Sequence, residues 1–338
     1  MTTHSDAAAG SLVGPLTLDA LQGPVENGLD RVLDEIRRIV VSDFGMIEEV
    51  NDYLLMVRGK LFRPTLTLLS NHVGDRSDPR AVTLAAVVEL VHLATLVHDD
   101  AVDHSVLRRG QPTVNALWTH QVAIIMGDYL YSRAVIELAR LGIMDAVRIM
   151  GTAANEMSVG EMRQLTSYDA LEFSEGDYDR LIAAKTASLM AAACELGALV
   201  GEPSFRAPLR RFGHNLGMAF QIADDLLDYT GTEAETGKPT GHDLRERKVT
   251  LPLVATLREA SPAELVAIRK LFDGEREPDD DEIARVVGIV RERGGLDYAR
   301  RRAMEFAEAA EEALAEVAGG EARQSLMSCV VYATQRSR

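Results

Sequence analysis

The segment AVTLAAVVELVHLATLVHDDAVD, Ala81 to Asp103, decides how this chain is read. It is rich in Ala, Val and Leu at three-and-four spacing, the pattern of a helix. Glu89 and His92 interrupt it, and His98, Asp99 and Asp100 close it, so it is short and polar for a membrane span. The acids fall at the C-terminal end of the helix, where the macrodipole disfavours negative charge without a counter-ion. QIADDLLDY, Gln221 to Tyr229, repeats the arrangement with Asp224, Asp225 and Asp228. In each motif the first and third aspartates are four apart and share a helix face. Such carboxylates suit Mg2+, one or two per ion, with water and phosphate oxygens completing the shell. A third acidic run, PDDDE (Pro278 to Glu282), opens a helix and reads as a structural cap. Neither motif has the loop glycine or twelfth-position glutamate of an EF-hand.

Working outward, helical patterning holds nearly throughout. Aromatic content is 5% and alternating β-branched segments are almost absent. Helices are predicted at 18–39, 61–72, 81–98, 119–141, 146–166, 178–200 and 208–229, then at 249–259, 262–272, 283–293, 296–316 and 321–333. No repeat or linker divides them. The expectation is a flexible arm over residues 1–20 and one all-α domain, a helical bundle, over 21–338.

The 338 residues, 46% hydrophobic and 26% charged, can bury a sizeable core, which excludes disorder and collagen-like structure. Thirty-six basic against 52 acidic residues give −16, which argues against nucleic acid or an anionic membrane as partner. Cys194 and Cys329 lie in apolar surroundings and read as reduced core residues. The N-terminus lacks the cationic start and apolar run of a signal peptide, so a cytoplasmic protein without stable membrane insertion is expected.

Arginine outnumbers lysine 31 to five. A lysine kept against such a drift marks a place where a compact ammonium is wanted. Four of the five lie in Gly- or Thr-flanked contexts: Lys60 in RGKLFRPTL with Arg63, Lys185 in AAKTASLM with Thr186, and Lys238 and Lys248 in TGKPTGHDLRERKVTLP. Only Lys270 reads as a surface residue. Arg108 and Arg109 follow the first acidic motif in VLRRGQPT. Together these groups look like sites for two polyanions. Walker loops, nucleophile elbows and zinc-spaced pairs are absent, which leaves metals and positive charge acting on phosphates in an apolar helical cavity.

GKLFRP, HLATLVHDDAVDHSVLRRGQPT, GDYLYSRA, KTASL, FQIADDLLDYTG and GKPTGHDLRERKVTLP stand in an order that resembles the trans-isoprenyl diphosphate synthases, the polyprenyl synthetases. The resemblance implies an all-α isoprenoid-synthase fold, usually homodimeric, with the Asp motifs facing each other across a central cavity. It implies head-to-tail condensation of an allylic diphosphate with isopentenyl diphosphate. By position, Asp99, Asp103 and Asp224 match the principal Mg2+ ligands, with Asp100, Asp225 and Asp228 completing the motifs. Arg108, Lys185, Lys238 and Lys248 match groups on the allylic diphosphate. Lys60, Arg63, His92 and Arg109 match the isopentenyl diphosphate pocket. Thr186 and Gln221 match the polar residues beside the reacting carbons, so Lys185, Thr186, Gln221 and Lys238 form the catalytic group. His92 stands seven residues before Asp99, about two turns, on the same face. His98 and His104 read as supporting or structural.

In that mechanism several Mg2+ ions and the cations neutralise the departing diphosphate, the isopentenyl double bond attacks the allylic cation, and a proton is lost. The resemblance places a chain-length gate at Ala94 and Thr95, both small, with Val91 and Val88 beyond, which points to a medium- or long-chain polyprenyl diphosphate. One alternative is a floor made by Trp118, Ile125 or Met126 and a product of intermediate length, and another is a shorter-chain synthase of geranylgeranyl or farnesyl type. Two other readings stand beside this one. A class I terpene cyclase would typically mix Asn, Ser and Glu in its second motif, and a non-catalytic subunit would lose the acidic motifs.

Overall fold

A computed structural model describes residues 17–56, 59–108, 110–166, 172–231, 240–273 and 276–334. Along the chain the helices are α1 (Leu18–Gln22), α2 (Glu26–Ile39), α3 (Gly45–Met56), α4 (Phe62–Asn71), α5 (Arg80–Val102), α6 (Val114–Leu117), α7 (His120–Leu141), α8 (Met144–Thr166) and α9 (Glu175–Ile182). After a π-turn at Ala183–Ala187 come α10 (Ser188–Val200), α11 (Arg206–Thr230), α12 (His242–Arg245), α13 (Leu251–Leu257), α14 (Pro262–Asp273), α15 (Asp280–Glu292), α16 (Gly295–Leu314) and α17 (Glu321–Thr334). The all-α expectation holds, and ordered structure starts before residue 21, with Leu18 in a helix capped by Thr17. Residues 1–16 of the expected arm lie outside the described residues.

The structure departs from the sequence reading in several places, among them a break at Gly23–Val25 in the helix expected over 18–39. The pattern gave no helix at Gly45–Met56, and it ran one helix through Tyr178 to Val200 where the π-turn intervenes. A short antiparallel hairpin pairs Leu107–Arg108 with Gln111–Pro112, its turn using Gly110 at φ 75°. That left-handed conformation favours glycine. The PDDDE reading is right: Asp279 caps α15 and Glu282 returns the bond to the Asp279 backbone, completing a capping box.

α10 is apolar on nearly every side and lies in the middle of the bundle, against α4, α5, α8 and α11. A helix without a polar face is stable only when enclosed in this way. α11 packs along α16, and α17 closes over α11 and α4. Two of the close approaches that depend on glycine meet at the π-turn. A Cβ at Gly217 would sit 2.5 Å from the Ala187 Cα, and one at Gly160 would sit 2.9 Å from the Ala184 Cβ. Both glycines therefore let α11 and α8 press onto the π-turn. By length and composition Arg80–Val102 and Glu175–Val200 could each cross a membrane, but 61% and 72% of their apolar windows are buried inside the bundle. They are core helices, and their C-terminal or central residues carry the site.

Candidate active site

Within each acidic motif the aspartates divide. Asp100 and Asp225 are buried, Asp99 is half-buried, and Asp103 and Asp224 are exposed. Asp100 accepts from Arg108, which the hairpin carries back to the end of α5. Asp225 accepts from Tyr178 Oη at 2.5 Å and from Gln221 Nε2 at 2.9 Å. Asp228 takes the backbone N–H groups of His242 and Asp243 at 3.0 and 3.1 Å, at the start of α12. The six aspartates therefore stand in different surroundings. Asp100, Asp225 and Asp228 have oxygens engaged by protein donors, as the burial of Asp100 and Asp225 requires.

Lys185, on the π-turn, pairs with Glu161 at 2.6 Å, contacts Gln164 at 3.0 Å and lies 3.9 Å from Asp99. Thr186, one residue on, donates to Gln221 Oε1 at 2.7 Å. The π-turn thus aims neighbouring residues at different walls, Lys185 toward α8 and α5, Thr186 toward α11. Such turns inside helices recur at functional sites. Burial, reinforced by Glu161 and Asp103 and opposed by Lys185 and Arg108, pushes the Asp99 carboxyl up to about 6.

Opposite, burial and the neighbouring Asp228 and Asp224 push Asp243 up to about 7 against the pull of Lys248 and His242. Burial and Asp243 also raise Asp225 well above the usual carboxylate range, although the Tyr178 and Gln221 hydrogen bonds work the other way. Lys248 bonds Glu246 at 2.6 Å. Burial works against its charge, but Glu246, Asp103 and Asp243 hold its pKa above the ordinary lysine value. Lys248 is therefore within electrostatic reach of Asp103 from the first motif and of Asp243 beside the second. Acids this crowded at helix ends fit divalent cations. Among the described residues no three acidic, His or Cys side chains form a ready-made metal cluster.

Behind the first motif a cavity is lined by Lys60, Arg63, His92, Asp100 and Arg108. Arg63 Nη1 lies 3.0 Å from His92 Nε2. Since guanidinium only donates, His92 Nε2 is the acceptor and the ring proton sits on Nδ1. Phe62 stacks on Phe220 at 5.8 Å and meets Tyr332 of α17 at 5.7 Å, so aromatic rings form one wall of the cavity. Three of the four residues expected for isopentenyl diphosphate thus converge, joined by Arg108, which the resemblance grouped with the allylic side. Arg109 and Lys238 lie outside the described residues.

Ala94 is buried in the main core, and Thr95 donates its hydroxyl to the His92 carbonyl at 2.8 Å. Neither lines the cavity behind the first motif, and Thr95 lies one turn before Asp99 on its face. Of the alternative floor residues, Ile125 is exposed, Met126 is buried with Val97 and Ala101, and Trp118 packs edge-on against Tyr53. His98 contacts the Ile124 carbonyl and Asp128 on α7, His104 stacks on His120, and Lys270 pairs with Glu282 at the surface.

Sequence reasoning missed Glu161, Gln164, Tyr178 and Asp243, and passed over Glu89, which is buried and lines the cavity. Asp243 alone left a signal, standing in the same Gly-flanked segment as Lys238 and Lys248.

Comparison with known proteins gives one consistent answer. The family model described as polyprenyl synthetase matches residues 45–290. The chain is 38% identical over 299 residues to an all-trans-nonaprenyl-diphosphate synthase (geranyl-diphosphate specific) of Rhodobacter capsulatus, covering 88% of this chain and 91% of that one. It superposes on a decaprenyl diphosphate synthase from Rhodobacter capsulatus with TM-score 0.89 at 36% identity, covering 95% of this chain and 100% of the other. A polyprenyl synthase from Caulobacter crescentus CB15, complexed with calcium and isoprenyl diphosphate, also gives TM-score 0.89, at 33% identity, covering 95% and 98%.

Proposed function

Since this chain belongs to the polyprenyl synthetase family, we propose that it condenses an allylic diphosphate with isopentenyl diphosphate, head to tail, making an all-trans medium- or long-chain polyprenyl diphosphate. The observations that carry this are Lys185 beside Asp99 at the first acidic helix end, Lys248 within electrostatic reach of Asp103 and Asp243, and a cavity holding Lys60, Arg63 and His92. One basic set serves each diphosphate.

Asp99, Asp103 and Asp224, with Asp243, would hold Mg2+. Bound there, the ions supply neutralisation of the leaving diphosphate. The protein's own groups do the rest. Lys185, Lys248 and Arg108 add positive charge beside the leaving group, where developing charge is best stabilised by fixed partners. Thr186 and Gln221 present oxygen to the reacting carbons. Lys60, Arg63 and His92 hold isopentenyl diphosphate, and the aromatic wall excludes water from the cation. Small residues on α5, Ala94 and Thr95, support growth beyond the short products.

A homodimer fits the surface. α7 exposes Ile124, Ile125, Tyr131, Val135 and Ile136, and α8 exposes Val159, Met162 and Leu165. Apolar exposure of this kind marks protein interfaces. The setting proposed is the cytoplasm.

The test is to incubate purified protein with labelled isopentenyl diphosphate, farnesyl diphosphate and Mg2+, then chromatograph the dephosphorylated products. Linear elongated alcohols are expected. A cyclic hydrocarbon would identify a cyclase, and turnover only with a second chain would identify a subunit.

A further inference from the structure

We propose that Tyr178 and Asp225 form a positioning pair that fixes which end of the Gln221 amide faces Thr186, and that Asp225 serves the reaction in this way instead of ligating metal. The inference rests on the prenyltransferase reading above and assigns a task to two groups within it.

Asp225 is 6% exposed and Tyr178 1% exposed, on helices α11 and α9. Tyr178 is packed among Ile182, Ala187, Met218 and Leu251, so its hydroxyl has little freedom. It donates to Asp225 Oδ2, leaving Oδ1 to face Gln221 Nε2. Whether the carboxyl is ionised or shares a proton with the phenol on its Oδ2 side, Oδ1 remains an acceptor. An amide has two unlike ends, and only the NH2 end can satisfy an acceptor. Gln221 must therefore turn its carbonyl oxygen to Thr186, which donates its one hydroxyl proton there at 2.7 Å.

Thr186 is then left with lone pairs only, next to Lys185 on the π-turn. With the amide reversed, Gln221 would donate to Thr186 and the threonine proton would turn outward. The local dipole would then oppose positive charge at the reacting carbon. Preorganised dipoles matter most where charge develops in a water-poor site. The chain Tyr178, Asp225, Gln221, Thr186 thus sets a polarity that neither Gln221 nor Thr186 sets alone. Asp224, next in sequence to Asp225, is exposed.

The experiment compares Tyr178→Phe and Asp225→Asn with wild type in kcat, both KM values and Mg2+ activation, and repeats Tyr178→Phe in a Gln221→Met background. Tyr178→Phe is expected to lower kcat about tenfold or more, as loss of a preorganised dipole does. Both KM values should stay within about twofold, the pattern of an interaction used mainly in the transition state. Mg2+ half-activation should not move in either variant. In Gln221→Met the tyrosine change should cost little more, because groups acting through one another are non-additive. Asp225→Asn keeps the side-chain volume and reads the same chain of bonds should Tyr178→Phe fail to fold. Full activity in folded Tyr178→Phe, additive losses, or a raised Mg2+ requirement in Asp225→Asn would each overturn the pairing. A wild-type protein that makes no prenyl product would instead refute the reaction itself.

Discussion

Arg108 grips Asp100 from two sides: its Nε lies 2.9 Å from each carboxylate oxygen and its Nη2 lies 2.8 Å from Oδ1. The hairpin is thereby fastened to the end of α5, and Asp99 is left to face Lys185. Arg108→Ala strands a buried carboxylate and should lower stability by about 1–3 kcal/mol in urea unfolding. Arg108→Ala with Asp100→Ala should recover part of that loss. A double variant as unstable as the sum of the singles would show that the pair does not couple.

Removing a metal-holding carboxylate should be far costlier for turnover than for stability. Asp99→Ala and Asp224→Ala are each expected to lower turnover by on the order of a thousandfold or more, since metal-assisted loss of diphosphate supplies much of the barrier lowering. Chelation with EDTA should abolish wild-type turnover. Near-normal rates in either variant with Mg2+ would remove the two-motif assignment.

The cavity behind the first motif should show itself in one substrate only. Lys60→Ala and Arg63→Ala are expected to raise KM for isopentenyl diphosphate about tenfold to a hundredfold, the worth of a charge-assisted contact of roughly 1.5–3 kcal/mol. The allylic KM should change little. Steady-state kinetics with each substrate varied in turn decides it, and equal losses for both would defeat the division of labour.

Asp243 gives a pH-dependent stability. Its pKa of about 7 in the folded chain lies above the roughly 3.9 of an unfolded aspartate. Between those values the folded protein binds the extra proton, so this group's contribution is present at low pH and is lost as pH rises through about 7. Asp243→Asn should therefore raise the Tm of EDTA-treated protein at about pH 8, and the gain should shrink steadily toward about pH 4.5. A gain that does not depend on pH would show that the carboxyl is not held against its charge.

Chain length should respond to Thr95 more cleanly than to Ala94. Thr95→Phe places a ring one turn before Asp99 and should shift products to shorter chains while early condensations persist. Ala94 is 3% exposed in the main core, so Ala94→Phe should cost about 1–3 kcal/mol by overpacking. Chromatography of dephosphorylated products alongside thermal melts separates the two effects. An unchanged product distribution in Thr95→Phe would place the floor elsewhere.

Legibility in the sequence followed the range of each interaction. The two aspartate motifs were readable because acids four apart at the end of an apolar run are a local pattern, and the scarcity of lysine pointed to Lys60, Lys185 and Lys248. The separate duties of those aspartates were not readable. Tyr178 meets Asp225 across 47 residues and Arg108 returns to Asp100 through a hairpin, and neither contact leaves a periodic trace. α3 was missed although it is helical from Gly45 to Met56, and the π-turn was missed because its Ala-rich residues suit a regular helix equally well.

The π-turn also bears on how this site tolerates changes in chain length. A regular helix advances 100° per residue, so deleting one residue from Ala183–Ala187 to restore α-helical hydrogen bonding would swing everything upstream of the cut by about a quarter turn relative to α10. Either Lys185 would leave Glu161 or Tyr178 would leave Asp225. Substitution can be absorbed around the site one side chain at a time, but a shift in register here would separate the two walls at once. Insertions and deletions should therefore collect in the surface connections and spare the stretch from Tyr178 to Ser188.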